Sequence, residues 1–264
     1  MLTAVKNQLK VTLLSIKYSV MRNMINKFTF ISNILFMVLN NASMIVQWLV
    51  IYSIKDSVGS YSLKMVILLW GFASATYGVS HFFFKNAFDL SGFINSGRLD
   101  TMIVQPKNIL LTTVTTDVSI SAIGDLIYGY IMLFVYGFTP LNFLLFTLLS
   151  ITGGLITASI AVISGSLAFW FGKSDAISNT TESITTMIAT YPEDIFNTII
   201  KVIIYTIIPV AFIVYVPVNI MEHLTLLPLL GVLGFTTAMI MLAYIVFYSG
   251  LKRYSSTNLM NART

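Results

Sequence analysis

Apolar and polar positions alternate along the chain in long blocks. Six apolar runs cover residues 28–53, 63–84, 114–138, 141–171, 195–220 and 226–248. A helix needs about 20 residues to cross a bilayer, and every run reaches that length. The fourth exceeds it, which predicts a tilted or projecting helix. Ahead of them Leu2, Val5, Leu9, Leu13, Ile16 and Val20 recur at steps of three and four, one face of a helix over residues 1–22. Asn7, Lys10 and Lys17 lie opposite, with Lys6 at the margin. The pattern predicts a helix lying in the membrane interface with its lysines toward phosphates; a cytosolic helix packed on the bundle is the alternative. The expected fold is an all-α membrane protein of six transmembrane helices. It forms one domain over residues 1–264: an interfacial helix (1–27), a membrane domain (28–248) and a cytoplasmic tail (249–264).

The fifth run is the one the others are expected to surround. It follows Tyr191-Pro192 and the carboxylates Glu193 and Asp194, and it contains Pro209 and Pro217. Proline removes a helix hydrogen bond and clashes with the preceding turn. The freed carbonyl needs a partner in lipid, so this broken helix belongs against protein or a water-lined cavity. Within the runs, polar residues mark buried faces. Asn33, Asn40 and Gln47 repeat every seven residues and share a face that should meet a helix or a cavity. Gly153, Thr157, Ala161 and Gly165, and on the second run Gly71 with Ala75 and Ser74 with Gly78, form small-residue stripes for close helix packing. Asp125 stands mid-way along the third run beside Gly124, with Tyr128 one turn on. A carboxylate there costs about 3 kcal/mol to insert. It faces the interior as a pathway or proton-relay residue, or as a structural hydrogen-bond partner. Asp117 reads as interfacial.

Composition removes the soluble alternatives. Apolar residues make up 56% of the chain and charged residues 9%, against about 25% charged in a soluble domain. The net charge of +5 is assigned to loops facing anionic headgroups rather than to nucleic acid. With the N-terminus cytoplasmic, thirteen lysines and arginines fall inside and only Lys55 and Lys64 outside, so both termini are expected in the cytoplasm. The first run is too long for a signal-peptide core and has no cleavage site after it, so it is expected to be retained. There is no cysteine, hence no disulfide or thiolate metal site.

Little points to catalysis. Gly172-Lys173-Ser174 imitates the end of a phosphate-binding loop, but Leu167 stands where the loop needs glycine. His81 and His223 fall on opposite sides of the membrane, so they form no metal site. His81 reads as a satisfied interfacial histidine. No serine, histidine and carboxylate group together as a nucleophile, the Asn179 sequon falls on the cytoplasmic side, and no internal repeat is visible. The inner segment 85–108 has charged ends around an apolar centre, suited to docking in a groove of a soluble partner. The inner segment 174–190 is rich in Ser and Thr and reads as a second contact or an interfacial helix.

Tyr191-Pro192, then Ile208-Pro209-Val210-Ala211-Phe212, Tyr215 and Pro217, resemble the penultimate span of a subfamily of ABC transporter type-2 permeases. Gly97-Arg98-Leu99-Asp100 with Pro106 resembles that subfamily's cytoplasmic segment between spans two and three. Hydropathy matches along nearly the whole chain. The resemblance implies a non-catalytic permease subunit of an exporter in a bacterial cell membrane. Gly97, Arg98, Leu99, Asp100 and Pro106 would form a coupling helix seated on separate ATP-binding subunits. Those subunits would bind ATP and Mg, with no cofactor in this chain. A second permease copy or a paralogue, together with membrane lipids, would complete the complex. Asp125, Tyr128, Pro209, Tyr215 and Pro217 would lie on the translocation pathway for an amphipathic or hydrophobic substrate such as a drug, lipid or small peptide. The residues alone leave open an ion- or proton-coupled carrier using Asp125; a lipid-processing enzyme lacks the clustered ligands it would need.

Overall fold

A computed structural model describes residues 2–172 and 174–254, with side chains from Lys6 onward. Lys173, Arg263 and the tail beyond Tyr254 lie outside the described residues. The described chain is helical: α1 Leu2–Asn23, α2 Lys27–Ile54, α3 Leu63–Phe88, α4 Leu90–Asn95, α5 Asp100–Ile103, α6 Ile109–Val114, α7 Ser121–Gly137, α8 Pro140–Ser166, α9 Ala168–Phe171, α10 Asp175–Ala189, α11 Thr198–Thr206, α12 Val216–His223 and α13 Leu226–Leu251. Side-chain caps mark several starts. Asn26, Ser62, Thr139 and Asn197 each accept the backbone N–H three residues on, satisfying donors that a helix start leaves unpaired.

The long helices run between two ends. One holds the short connections after α2 and α7, where Lys64 lies over the Tyr136 ring at 4.5 Å; it is named here for Ser60. The other holds α1, α4, α5 and α6 and is named for Arg98. Among the described residues, four stretches are long and apolar enough to cross a membrane: Lys27–Ile54, Leu63–Asn95, Pro140–Phe171 and Leu226–Leu251. α3 is central, with Leu68, Leu69, Phe72 and Ala75 fully buried. The small-residue stripes sit where helices approach. A methyl group on Gly129 would meet the Gly71 carbonyl oxygen at 2.9 Å, and one on Gly165 the Leu90 Cβ at 2.9 Å.

Two expected spans differ. The third begins at Ser121, not at 114, because the chain is irregular around Asp117. That carboxylate accepts from the Ser19 hydroxyl and from the Val118 N–H at 2.9 Å, and pairs with Arg22 at 2.7 Å and Lys85 at 3.3 Å. Burial works against its charge, but the Ser19 hydroxyl, the Val118 N–H and Lys85 outweigh it and hold the carboxyl below its ordinary range.

The fifth apolar run, 195–220, is sharply bent rather than one straight helix. Its two helical parts, Thr198–Thr206 and Ala211–His223, meet at 77°. α11 stops three residues before Pro209, whose ring disfavours helix just ahead of it, and Ala211–Tyr215 continues as a π-helical stretch. Both legs return to the Ser60 end. Asp194 accepts from the Ser60 N–H at 2.7 Å and from its hydroxyl at 2.6 Å. At the far leg Glu222 accepts from the Tyr136 hydroxyl at 3.0 Å. The run is a hairpin. Its apex reaches the level of Gly153, where a methyl group would stand 3.2 Å from the Ile213 carbonyl oxygen, about 20 Å along α8 from the Thr139 turn.

The segment 174–190, expected as an inner loop, joins the two ends instead. At the Arg98 end the Ser174 hydroxyl bonds that of Ser91 at 3.2 Å, and Asn95 donates to the Gly172 carbonyl at 3.2 Å. At the Ser60 end the Tyr191 ring packs on Trp48 at 5.8 Å. α10 therefore lies alongside α3 for its whole length, and Lys201 moves to the Ser60 end.

Candidate functional site

Between α2, α3, α7, α8 and α10 the bundle leaves an open-sided cavity of about 250 Å³ lined by Asn40, Asn41, Tyr77, Asp125, Thr157 and Thr186 among others. Asp125 is 3% exposed. One carboxyl oxygen accepts from the Asn41 amide at 2.7 Å; the other has no hydrogen-bond partner among the described residues. Ser74 donates to the Asp125 carbonyl oxygen at 2.8 Å. Tyr128 is buried one turn away, outside this cavity, and its hydroxyl has no partner among the described residues. The cavity thus sets one buried carboxylate and a few amides and hydroxyls in a lining that also holds Met37, Trp70, Ala189 and Ile213.

Beside it, α10 is tied to α3. Glu182 accepts from the Tyr77 hydroxyl at 3.2 Å and meets His81 Nε2 at 3.1 Å. The imidazole is stacked between Tyr77 at 3.7 Å and Phe88 at 3.8 Å, and its Nδ1 lies 3.1 Å from the Ser80 hydroxyl. His81 is satisfied by a carboxylate on another helix, and its carbonyl oxygen accepts the Ser119 N–H at 3.2 Å just ahead of α7. Asn41 and Glu182 were not singled out by sequence. Their signal was faint: an amide next to Asn40, and one acid in a run of hydroxyls.

The hairpin closes the Ser60 end. Tyr215 places its hydroxyl 2.8 Å from the Ile188 carbonyl oxygen and 3.0 Å from that of Tyr191, fastening the far leg to the top of α10. Pro209 sits at the bend and Pro217 opens α12. A second cavity of about 240 Å³ lies here between Tyr61, Glu193, Tyr205, Tyr215 and Asn219. Asp194 lies at its margin. The Ser60 hydroxyl, the Ser60 N–H and Lys201 hold its carboxyl down to about 2.

At the Arg98 end the predicted coupling residues form an elbow. Gly97 takes φ +74°, a conformation glycine adopts without penalty, and turns the chain from α4 into α5. Leu99 is fully buried among Leu90, Ile94, Val114 and Phe247. Arg98 pairs with Asp89 at 2.7 Å and lies 3.9 Å over the Phe93 ring, while Asp100 opens α5. The tip is apolar and uncovered: Ile103 is 39% and Val104 81% exposed, with Pro106 beside them.

The structure therefore gathers Pro209, Tyr215 and Pro217 in the hairpin and Gly97, Arg98, Leu99 and Asp100 in the elbow, and leaves Asp125 alone in the cavity between them. Comparison with family models matches residues 38–258 to the family described as ABC-2 family transporter protein. The chain belongs to that family. No curated protein and no solved structure matches it. As an ABC-2 family member it is a membrane transport component, an ABC permease, whose family works with ABC ATP-binding subunits. The match spans the cavity, the elbow and the hairpin together.

Proposed function

We propose that this ABC-2 permease forms half of an ATP-driven exporter for an amphipathic or hydrophobic substrate, pairing with a second copy or a related permease. The supporting observation is the polar surface it leaves uncovered. Asn40 and Gln47 on α2 and Asn179, Ser183 and Thr186 on α10 are exposed at membrane depth, on both sides of the Asp125 cavity. Amides facing lipid are costly, so this surface fits a wet path shared between two copies. Six crossings (α2, α3, α7, α8, α10 and α13) put both termini on one side. Ten described lysines and arginines at the Arg98 end against Lys55, Lys64 and Lys201 at the other support a cytoplasmic Arg98 end, with α1 lying in that interface.

The ATPases would grip the apolar tip at Ile103, Val104 and Pro106. A push there reaches α4 through buried Leu99, then the foot of α10 through Ser91 and Asn95, and then the hairpin through Tyr215. Two packings of this linkage would open the path to alternate sides as ATP binds and leaves. The test is reconstitution with the ATP-binding chain that co-purifies in mild detergent. Transport should require ATP, and Asp125→Asn should reduce it about tenfold or more without loss of folded protein. Transport by the permease alone without ATP would overturn the proposal.

A further inference from the structure

On the flank away from the polar cavity, α1, α6, α8 and α13 surround a groove of about 850 Å³. Its walls are apolar. Leu155, Ala158 and Val162 come from α8, Ile240 and Ala243 from α13, and Leu111 from α6. Two alanines facing each other across the helix pair make the room. α1 straps one side: Gln8 donates to the Thr112 hydroxyl at 3.2 Å and accepts the Asn108 N–H at 3.0 Å. Ala158 lies about 27 Å along α8 from its start at Pro140, so the walls stand in the half of the membrane nearer the Arg98 end.

The groove has a direction. Its apolar length ends at a polar rim of Asn7, Lys107 and Asn108, and Lys107 is the one charged side chain among the described residues lining it. Lys10 is exposed three residues on from Asn7, and among the described residues no carboxylate lines the groove. A wholly apolar partner helix seated here would cover Lys107 without neutralising it. An amphiphile with a negative head satisfies both parts.

We propose that this groove holds a resident anionic phospholipid of the leaflet at the Arg98 end, with its acyl chains against α8 and α13 and its phosphate at Lys107. A lysine near a membrane surface favours anionic headgroups by about fivefold, and burying methylenes against the walls supplies the rest of the hold. The site is separate from the proposed path and does not depend on export.

The experiment uses the full chain in detergent micelles doped with phosphatidylglycerol or phosphatidylcholine, read by native mass spectrometry and thermal midpoint. Wild type should retain phosphatidylglycerol preferentially and be raised in midpoint by it. Lys107→Gln should lower that preference about fivefold, and Ala158→Trp, which fills the groove, should abolish retention. Equal retention of the two lipids would overturn the proposal, as would full retention by Ala158→Trp, or a change in copy number rather than lipid content on filling the groove. Lys107 lies on the rim outside the packed core, so its variant decides the matter if Ala158→Trp does not fold. Release of the lipid at each ATP cycle would make it cargo and would likewise overturn a resident role.

Discussion

Asp194 fastens the hairpin to the Gly59–Ser60 turn through two hydrogen bonds and an ion pair with Lys201 at 3.1 Å. Its folded carboxyl titrates near 2, below the ordinary 3.8. A depressed carboxylate contributes stability that is complete above its unfolded pKa and fades as pH falls through the folded value. Asp194→Asn should therefore cost about 1 kcal/mol at pH 7, after discounting for exposure, and the gap from wild type should narrow between pH 4 and 2. Thermal midpoints in detergent across that range test this; an undiminished gap at the acid end would mean that charge is not what holds the turn. At the same scale, Asp125 was legible because a carboxylate in an apolar run stands out, and its partner was not. The sevenfold repeat selects Asn33, Asn40 and Gln47, a face the structure leaves exposed, with Asn40 at the edge of the cavity. Asn41, one residue and about 100° of rotation away, is the amide that turns inward.

Hydropathy marks how easily a segment sits beside lipid, not whether it passes through. Residues 195–220 score as a span because the hairpin legs turn Ile199, Val202 and Ile207 outward, at 58–74% exposure. α10 scores as a loop, yet three of its hydroxyls, those of Thr181, Ser183 and Thr185, are satisfied within its own helix. Thr181 donates to the Ile177 carbonyl at 2.8 Å, Ser183 to Asn179 at 2.8 Å and Thr185 to Thr181 at 2.7 Å. Such back-bonding makes a Ser/Thr-rich helix affordable in an apolar setting. The remaining long helices and the small-residue stripes were legible, since their periodicity and length follow from packing alone. The hairpin can be tested directly because the chain has no cysteine. Asn197→Cys should react with a membrane-impermeant maleimide added outside intact cells. Protection from outside with reactivity from the cytoplasm would restore a single crossing at 195–220.

A single copy leaves its polar surface unmatched, whereas α13 exposes Leu230, Met241, Leu242 and Ile245, which suit lipid. The proposed pair should therefore meet along α2 and α10. Single cysteines at Asn40 or Gln47 should cross-link between copies within the membrane, and one at Leu242 should not; the reverse pattern would move the interface to the α13 side. The hairpin has one more consequence, for how the chain is threaded during synthesis. If α10 crosses as proposed and the hairpin returns, Leu226 emerges at the same surface as it would if α10 stayed behind and 195–220 crossed. Both routes orient the last helix alike. A translocon that captured the greasier segment first would leave Leu226 at the surface the proposed topology gives it, with the Glu182 partners His81 and Tyr77 still waiting on α3.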